Sequence, residues 1–117
     1  MSTATLPLLD QDLSSCCEPV TGGDLSDGAA ERLAHLFKAL SDPSRVKLIS
    51  LIAASEDGEA CACDLTGPVG LSQPTVSHHM RILVDASLVT REQRGKWAYY
   101  RVVDNPLVQL ARALTPA

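Results

Sequence analysis

The chain has 117 residues, 45% hydrophobic and 21% charged, enough for one compact domain and too few for a second of ordinary size. Its formal net charge of −4, taken as an average, argues against nucleic acid as a partner. The average hides a segregation. Residues 1–31 hold six acids (Asp10, Asp12, Glu18, Asp24, Asp27, Glu31) and no Lys or Arg, which leaves the rest of the chain at +2. Residues 70–103 set Arg81, Arg91, Arg94, Lys96 and Arg101 against Asp85 and Glu92, a local +3, so a basic region survives on an acidic chain.

Residues 1–26 mix Pro, Gly, Ser, Thr and acids without periodicity, which predicts a flexible N-terminal arm; residues 27–117 are the predicted folded module. The opening MSTATLPLLDQD has no basic n-region, and no apolar run approaches the roughly 18 residues of a membrane span. The expectation is a cytoplasmic protein with no membrane partner. Four cysteines fall in two tight pairs, Cys16-Cys17 on the arm and Cys61-x-Cys63 in the module. In a reducing cytosol such pairs point to metal or redox chemistry rather than stapling.

From an N-cap at about Asp27, Leu33, Leu36, Phe37 and Leu40 recur at i, i+3, i+4, i+7 and predict an amphipathic helix. Asp42-Pro43 reads as a cap and first helical position, opening a second helix to about Ala54. Ser55–Gly58 is a predicted loop, followed by a short helix over about Ala60–Val69. Gly70-Leu-Ser72 is a turn with a buried leucine, and Ser72 caps a helix that runs to about Ala86 with Pro74 just inside it. Val76, Met80, Leu83 and Val84 point inward on that helix, while Thr75, His78, Arg81 and Asp85 share the opposite, polar arc.

Two short helices joined by a Gly-containing turn, the second exposing polar residues near its N-terminus, have the pattern of a DNA-reading helix-turn-helix. Candidate DNA contacts are Ser72, Gln73, Thr75, Ser77, His78 and Arg81. Gln pairs bidentately with adenine, Ser and Thr serve bases or phosphates, and a helix N-terminus attracts phosphate. The next segment, Leu88–Val102, is two β-prone runs around Arg94-Gly95-Lys96, a basic hairpin placed as a wing. Arg94 and Lys96 are candidate phosphate ligands, whereas Trp97, Tyr99 and Tyr100 are expected to pack the strands. A last helix, Asn105 to Leu114, carries Leu107, Leu110, Ala111 and Leu114, and its stripe and that of the first helix are core or a dimer seam. The expected fold is mainly α with a small β-hairpin, a winged helix-turn-helix.

Leu71-Ser-Gln-Pro-Thr-Val-Ser-His-His-Met80, Arg94-Gly-Lys-Trp-Ala-Tyr-Tyr100, Phe37-Lys-Ala-Leu-Ser-Asp-Pro-Ser-Arg45 and Cys61-Ala-Cys-Asp-Leu65 together resemble the ArsR/SmtB family of winged-helix metalloregulators, over about residues 29–114. The resemblance implies a homodimer seamed by its first and last helices. It also implies a repressor that binds double-stranded operator DNA and releases it when a toxic metal ion binds.

Thiolates are soft donors and select thiophilic ions. The related zinc and nickel sensors use a His/Asp/Glu cluster on the last helix, and after Asp104 this chain has no histidine. In the family, Cys-x-Cys-Asp-Leu is the arsenite-responsive pattern, and cadmium/lead sensors add cysteines from the arm. The metal-ligand candidates are therefore Cys16, Cys17, Cys61 and Cys63, with As(III) or Sb(III) as effector on three sulfurs, or Cd(II)/Pb(II) on four. Positions i and i+2 of a regular helix do not face each other, so Cys61 must sit at or before the helix start if both sulfurs grip one ion. A helix N-terminus also favours the thiolate. A thiol redox switch on the same scaffold is an alternative. A third, an enzyme such as a small thiol reductase using Cys16-Cys17, is disfavoured because it needs a folded pocket and a positioned base that the arm's composition does not offer, so the expectation is a non-enzyme. His78 and His79 are not a metal pair, because neighbouring helical residues diverge by about 100°.

Overall fold

A computed structural model describes residues 19–116 of the chain. They form two compact units, one from the residues before Phe37 together with those from Asn105 onward, the other Phe37–Asp104. The larger unit carries every candidate DNA contact and the Cys61-x-Cys63 pair. Cys16 and Cys17 lie outside the described residues.

The first helix, α1, spans Asp27–Ala39. Its cap is Ser26, whose hydroxyl accepts the Ala29 N–H at 3.1 Å, so Asp27 is the first helical residue rather than the cap. Ala29, Leu33, Leu36 and Ala39 are buried, but Phe37 is exposed and Leu40 lies beyond the helix, half-buried. The apolar spacing at 33, 36, 37 and 40 thus marked the helix and overstated its buried stripe.

Helix α2 (Pro43–Ala53) starts as its sequence requires: the Asp42 carboxylate accepts the Ser44 and Arg45 N–H groups at 2.8 and 3.3 Å, and Pro43 fills a position where no N–H is needed. Leu48 and Ile52 are fully buried, Ile49 and Leu51 half-buried, and Val46 exposed. A single 3-10 turn, Glu56–Gly58, follows.

The chain then enters a short strand, β1 (Glu59–Cys61), before helix α3 (Ala62–Val69) begins. The expectation of helix from Ala60 is therefore corrected. Ala60 and Cys61 are extended because they pair antiparallel with Tyr100 and Tyr99, partners some forty residues away that local periodicity does not reveal. Gly70, at φ 74°, closes α3, and the Gly70 and Leu71 N–H groups both donate to the Thr66 carbonyl. That left-handed conformation favours glycine. Leu71 is half-buried rather than buried.

Helix α4 (Gln73–Asp85) buries Val76, Met80 and Leu83 completely. Strands β2 (Val89–Arg94) and β3 (Trp97–Val102) form the hairpin, and with β1 they make a three-stranded antiparallel sheet in the order β1-β3-β2. The sheet is thus one strand wider than the expected hairpin. Its two-residue turn has Gly95 first, at φ 62°, as turns of the II′ class require. The core of this unit gathers Leu48, Ile52, Leu65, Val76, Met80, Leu83, Leu88 and Val89 between the helices and the sheet.

The last helix, α5, spans Asp104–Leu114 and buries Gln109, Leu110 and Ala113. Leu107 is half-buried, whereas Ala111 and Leu114, expected with it on a stripe that is core or a dimer seam, are exposed. Among the described residues no helix is long and apolar enough to cross a membrane.

Candidate nucleic-acid interface and thiol site

The α3–turn–α4 segment presents its polar residues as the sequence predicts. Ser72 caps α4: its hydroxyl accepts the Thr75 N–H at 3.4 Å and lies 3.0 Å from the Thr75 hydroxyl. Gln73, Thr75, Ser77, His78 and Arg81 are all exposed. Gln73, Ser77 and Arg81 form one row at i, i+4 and i+8, while Thr75 and His78 lie on another flank of the helix whose Val76-Met80-Leu83 stripe is fixed in the core.

His79 turns away from that surface. It is half-buried, with Nδ1 3.1 Å from Arg45 Nη1. Arginine only donates, so in this contact Nδ1 is the acceptor. Arg45 also donates from Nε to the Ala39 carbonyl at 2.6 Å and from Nη2 to the Lys38 carbonyl at 3.4 Å. One guanidinium therefore ties the end of α1 and the start of α2 to the middle of α4. Arg45 was quoted in the sequence only for a motif, and nothing local pointed to this role. Burial works to raise the Asp42 carboxyl at the same helix start, but the N–H groups of Ser44 and Arg45 outweigh it and hold the carboxyl below its ordinary value.

The thiol pair straddles the junction of β1 and α3. Cys61 is the N-cap of α3, with extended backbone at φ −79° and ψ 145°, and its buried Sγ accepts the Cys63 N–H at 3.3 Å. Cys63 is exposed, and its Sγ is 3.9 Å from Asp64 Oδ1. Both are free thiols. The geometric demand made by their i, i+2 spacing is met by placing Cys61 outside the helix. The donor chemistry fits a soft ion, but the pair does not complete a site alone. Among the described residues no group of three or more His, Cys, Asp and Glu side chains is arranged to hold a metal.

These features share one concavity. A cleft of about 480 Å³ is lined by Cys61 and Cys63, by Gln73, Ser77 and Arg81 of α4, and by Arg91, Gln93, Lys96 and Trp97 of the wing. Arg91 had entered the sequence analysis only as part of the local charge. Its Nη2 donates to Gln93 Oε1 at 2.6 Å, and Gln93 Nε2 donates to the Gly95 carbonyl at 2.9 Å, linking these side chains along the wing.

The wing aromatics divide. Tyr100 is buried and Tyr99 half-buried, as expected, but Trp97 is 44% exposed, with Lys96 Nζ 5.8 Å from its ring centroid. Strand β1 ends at the Cys61–Tyr99 pair, so Trp97 lies beyond the third strand. The expectation of strand packing fails for this residue. Arg94 occupies a different setting from Lys96: its guanidinium is bound to the carboxylates of Glu59 and Glu92 and lies 4.5 Å from the Tyr99 centroid. The Arg94 hydrogen bond, aided by Arg101, outweighs burial and holds the Glu59 carboxyl below its ordinary value, while Glu59 and then Glu92 raise Arg94.

Comparison with known proteins places this geometry in context. The family described as bacterial regulatory protein, arsR family, matches residues 42–91. An arsenical resistance operon repressor from Staphylococcus xylosus is 44% identical over 72 residues, covering 62% of this chain and 66% of that protein. A cadmium resistance transcriptional regulatory protein, a CadC homolog from Staphylococcus aureus, is 37% identical over 87 residues, covering 74% and 70%. The solution structure of a homodimeric winged helix-turn-helix DNA-binding domain from Mycobacterium bovis superposes with a TM-score of 0.63 at 23% identity, covering 75% of this chain and 79% of that one.

Proposed function

The chain belongs to the arsR family of bacterial regulatory proteins, and from that premise we propose that it is a repressor that binds double-stranded operator DNA as a homodimer and releases it when As(III) or Sb(III) binds its cysteine thiolates. As a DNA-binding transcriptional repressor with a winged helix-turn-helix, it works in the cytoplasm, where operator DNA is. In this reading residues 1–26 are an arm and the remainder is the folded module. Ser72, Gln73, Thr75, Ser77, His78 and Arg81 read or grip the duplex, and Lys96 of the wing binds phosphate.

The observation that carries the proposal is the shared cleft: Cys61 and Cys63 line the same concavity as Gln73, Ser77 and Arg81. A ligand held by these sulfurs lies against the DNA-reading helix. The two thiols need at least one further donor, and the chain's remaining cysteines are Cys16 and Cys17 on the arm, from the same or the partner subunit. Bringing that arm across the cleft would displace duplex from α4. Three sulfurs suit As(III) or Sb(III). A four-thiolate Cd(II)/Pb(II) site is the second reading, favoured by the presence of two cysteine pairs and by the 37% identical cadmium-resistance relative.

The homodimer rests on apolar surface left open on the first and last helices, where Phe37, Val108 and Leu114 are 39%, 43% and 57% exposed. The ligand assignment is tested by titrating reduced protein anaerobically with sodium arsenite while counting free thiols. Wild type should lose three thiols per bound ion, and Cys63→Ser, an exposed position, should fold normally yet lose both arsenite binding and arsenite-driven release of DNA. Unchanged release by the Cys63→Ser protein would overturn the proposal.

A further inference from the structure

The antiparallel sheet sorts the wing's cations onto two faces, because successive side chains of a strand point to opposite sides. Arg91 and Gln93 from β2, with Ala98 and Tyr100 from β3, line the cleft beside α4. Glu92 and Arg94 alternate with them and face the other way, beside Tyr99 and Arg101, on the side where β1 contributes Glu59. There Arg94 makes four hydrogen bonds to two carboxylates: Nη1 and Nη2 to Glu59 at 2.5 and 2.9 Å, and Nε and Nη2 to Glu92 at 3.1 and 2.6 Å.

Glu59 is fixed from several sides. Its side chain is 18% exposed, β1 is paired to β3, and Arg101 donates to the same carboxylate at 2.9 Å while holding the Asp57 carbonyl at 2.9 Å. Glu92, by contrast, is 66% exposed and contributes little once water and salt screen it. A two-point Arg–carboxylate contact is the strong, geometrically specific kind.

We propose that Glu59 is a positioning residue that withholds Arg94 from DNA phosphate, so that the wing grips DNA with Arg91 and Lys96. A basic residue at the wing tip therefore counts in the sequence's charge but not in its DNA contacts. Glu59 stands two residues before Cys61 on the same three-residue strand, so the strand that delivers the buried thiol also sets how much wing charge is available to DNA. The inference uses DNA binding alone and does not depend on which effector the thiols take.

The test is the salt dependence of binding to a non-specific duplex by the full chain and by Arg94→Ala, Glu59→Gln and the double variant. Each phosphate neutralised contributes about 0.9 to the slope of log affinity against log salt. Arg94→Ala alone should leave slope and affinity within two-fold of wild type. Glu59→Gln should bind several-fold tighter with a slope steeper by about 0.9 for each wing on the duplex, and the double variant should return to wild type. Two results would overturn the proposal: a slope shallower by about 0.9 in Arg94→Ala, meaning that Arg94 already contacts phosphate, or a double variant as tight as Glu59→Gln, meaning that the gain came only from removing a negative charge. Circular dichroism checks that Glu59→Gln is folded; if it is not, the Arg94→Ala comparison in the otherwise native chain decides the matter.

Discussion

At the scale of single residues, the informative side chains are those with two tasks. Cys61 ends a strand, caps a helix through its sulfur and lines the cleft, while Glu59 joins β1 to the wing and remains charged. The Glu59 and Asp42 carboxyls are both held below their ordinary values, Glu59 foremost by the Arg94 hydrogen bond, Asp42 by the Ser44 and Arg45 N–H groups against the opposing effect of burial. A carboxyl whose folded pKa is depressed contributes stability that is fully present above its unfolded value and disappears as pH falls through the folded one, because the unfolded chain takes up the proton first. Wild type should therefore melt above Glu59→Gln near neutrality, and the gap should begin to narrow as pH falls below the ordinary glutamate value of about 4.3 and vanish only below the depressed folded one. Thermal melts across that range check this; a gap independent of pH would contradict it.

The caps at Asp42 and Ser72 were legible in the sequence because capping is decided within three residues. Cys61's position outside the helix was not, because the local pattern reads as helix from about Ala60; only the demand that both sulfurs grip one ion put Cys61 at or before the helix start. The Glu59–Arg94 contact was not legible, because it joins residues 35 apart through strand pairing that leaves no local pattern. Arg45–His79, 34 apart, was hidden in the same way.

At the scale of elements, the turn between α3 and α4 is closed by Gly70, whose φ of 74° lets its own N–H and that of Leu71 reach the Thr66 carbonyl. No atom lies within 4 Å of where a Cβ would stand, so replacement is penalised by backbone conformation rather than collision. Gly70→Ala should cost about 1 kcal/mol, the usual penalty for a non-glycine residue in the left-handed region. Under the proposal that α4 reads DNA from the orientation this turn gives it, duplex affinity should fall by more than ten-fold, beyond what the loss of folded protein explains. Denaturant melts and duplex titrations on one preparation separate the two effects, and unchanged affinity would show that α4 is aimed by its core contacts alone.

Helix existence and type were readable throughout, from caps and apolar spacing. Which apolar residues are buried was less readable. Phe37 and Leu114 satisfy a helical stripe yet are exposed in the single chain, because apolar spacing marks a face without saying whether the chain's own core or a second copy covers it. Strand β1 was missed for a different reason: three residues are too few to show alternation, and its pairing partner lies far along the chain.

At the scale of the molecule, charge is arranged rather than merely balanced. The acids gather toward the N-terminus, and the basic residues that face the cleft gather on α4 and the wing, so a chain of net charge −4 carries a local basic surface where the proposal places DNA. The proposed dimer places a further demand on exposed apolar surface. Val108→Asp combined with Leu114→Asp should give a monomer at micromolar concentration with helix content unchanged and operator affinity sharply reduced, because each protomer then binds one half-site alone. Analytical ultracentrifugation reads the mass directly; a dimer that survives both substitutions would move the seam elsewhere.

The central claim is that a ligand of the thiols drives the protein from DNA, and it is measured most directly by fluorescence anisotropy. Reduced, anaerobic wild-type protein would be bound to a duplex it has itself selected from a random pool, then titrated in parallel with sodium arsenite and cadmium chloride. The account predicts release by arsenite at about one equivalent per thiol site, with operator affinity weakened 5- to 150-fold, the range of an ordinary allosteric coupling of about 1–3 kcal/mol, and little effect of cadmium. Release by cadmium alone would contradict the arsenical assignment in favour of four thiolates, and release by neither ion would contradict the metal-responsive reading altogether, leaving the thiols to redox chemistry.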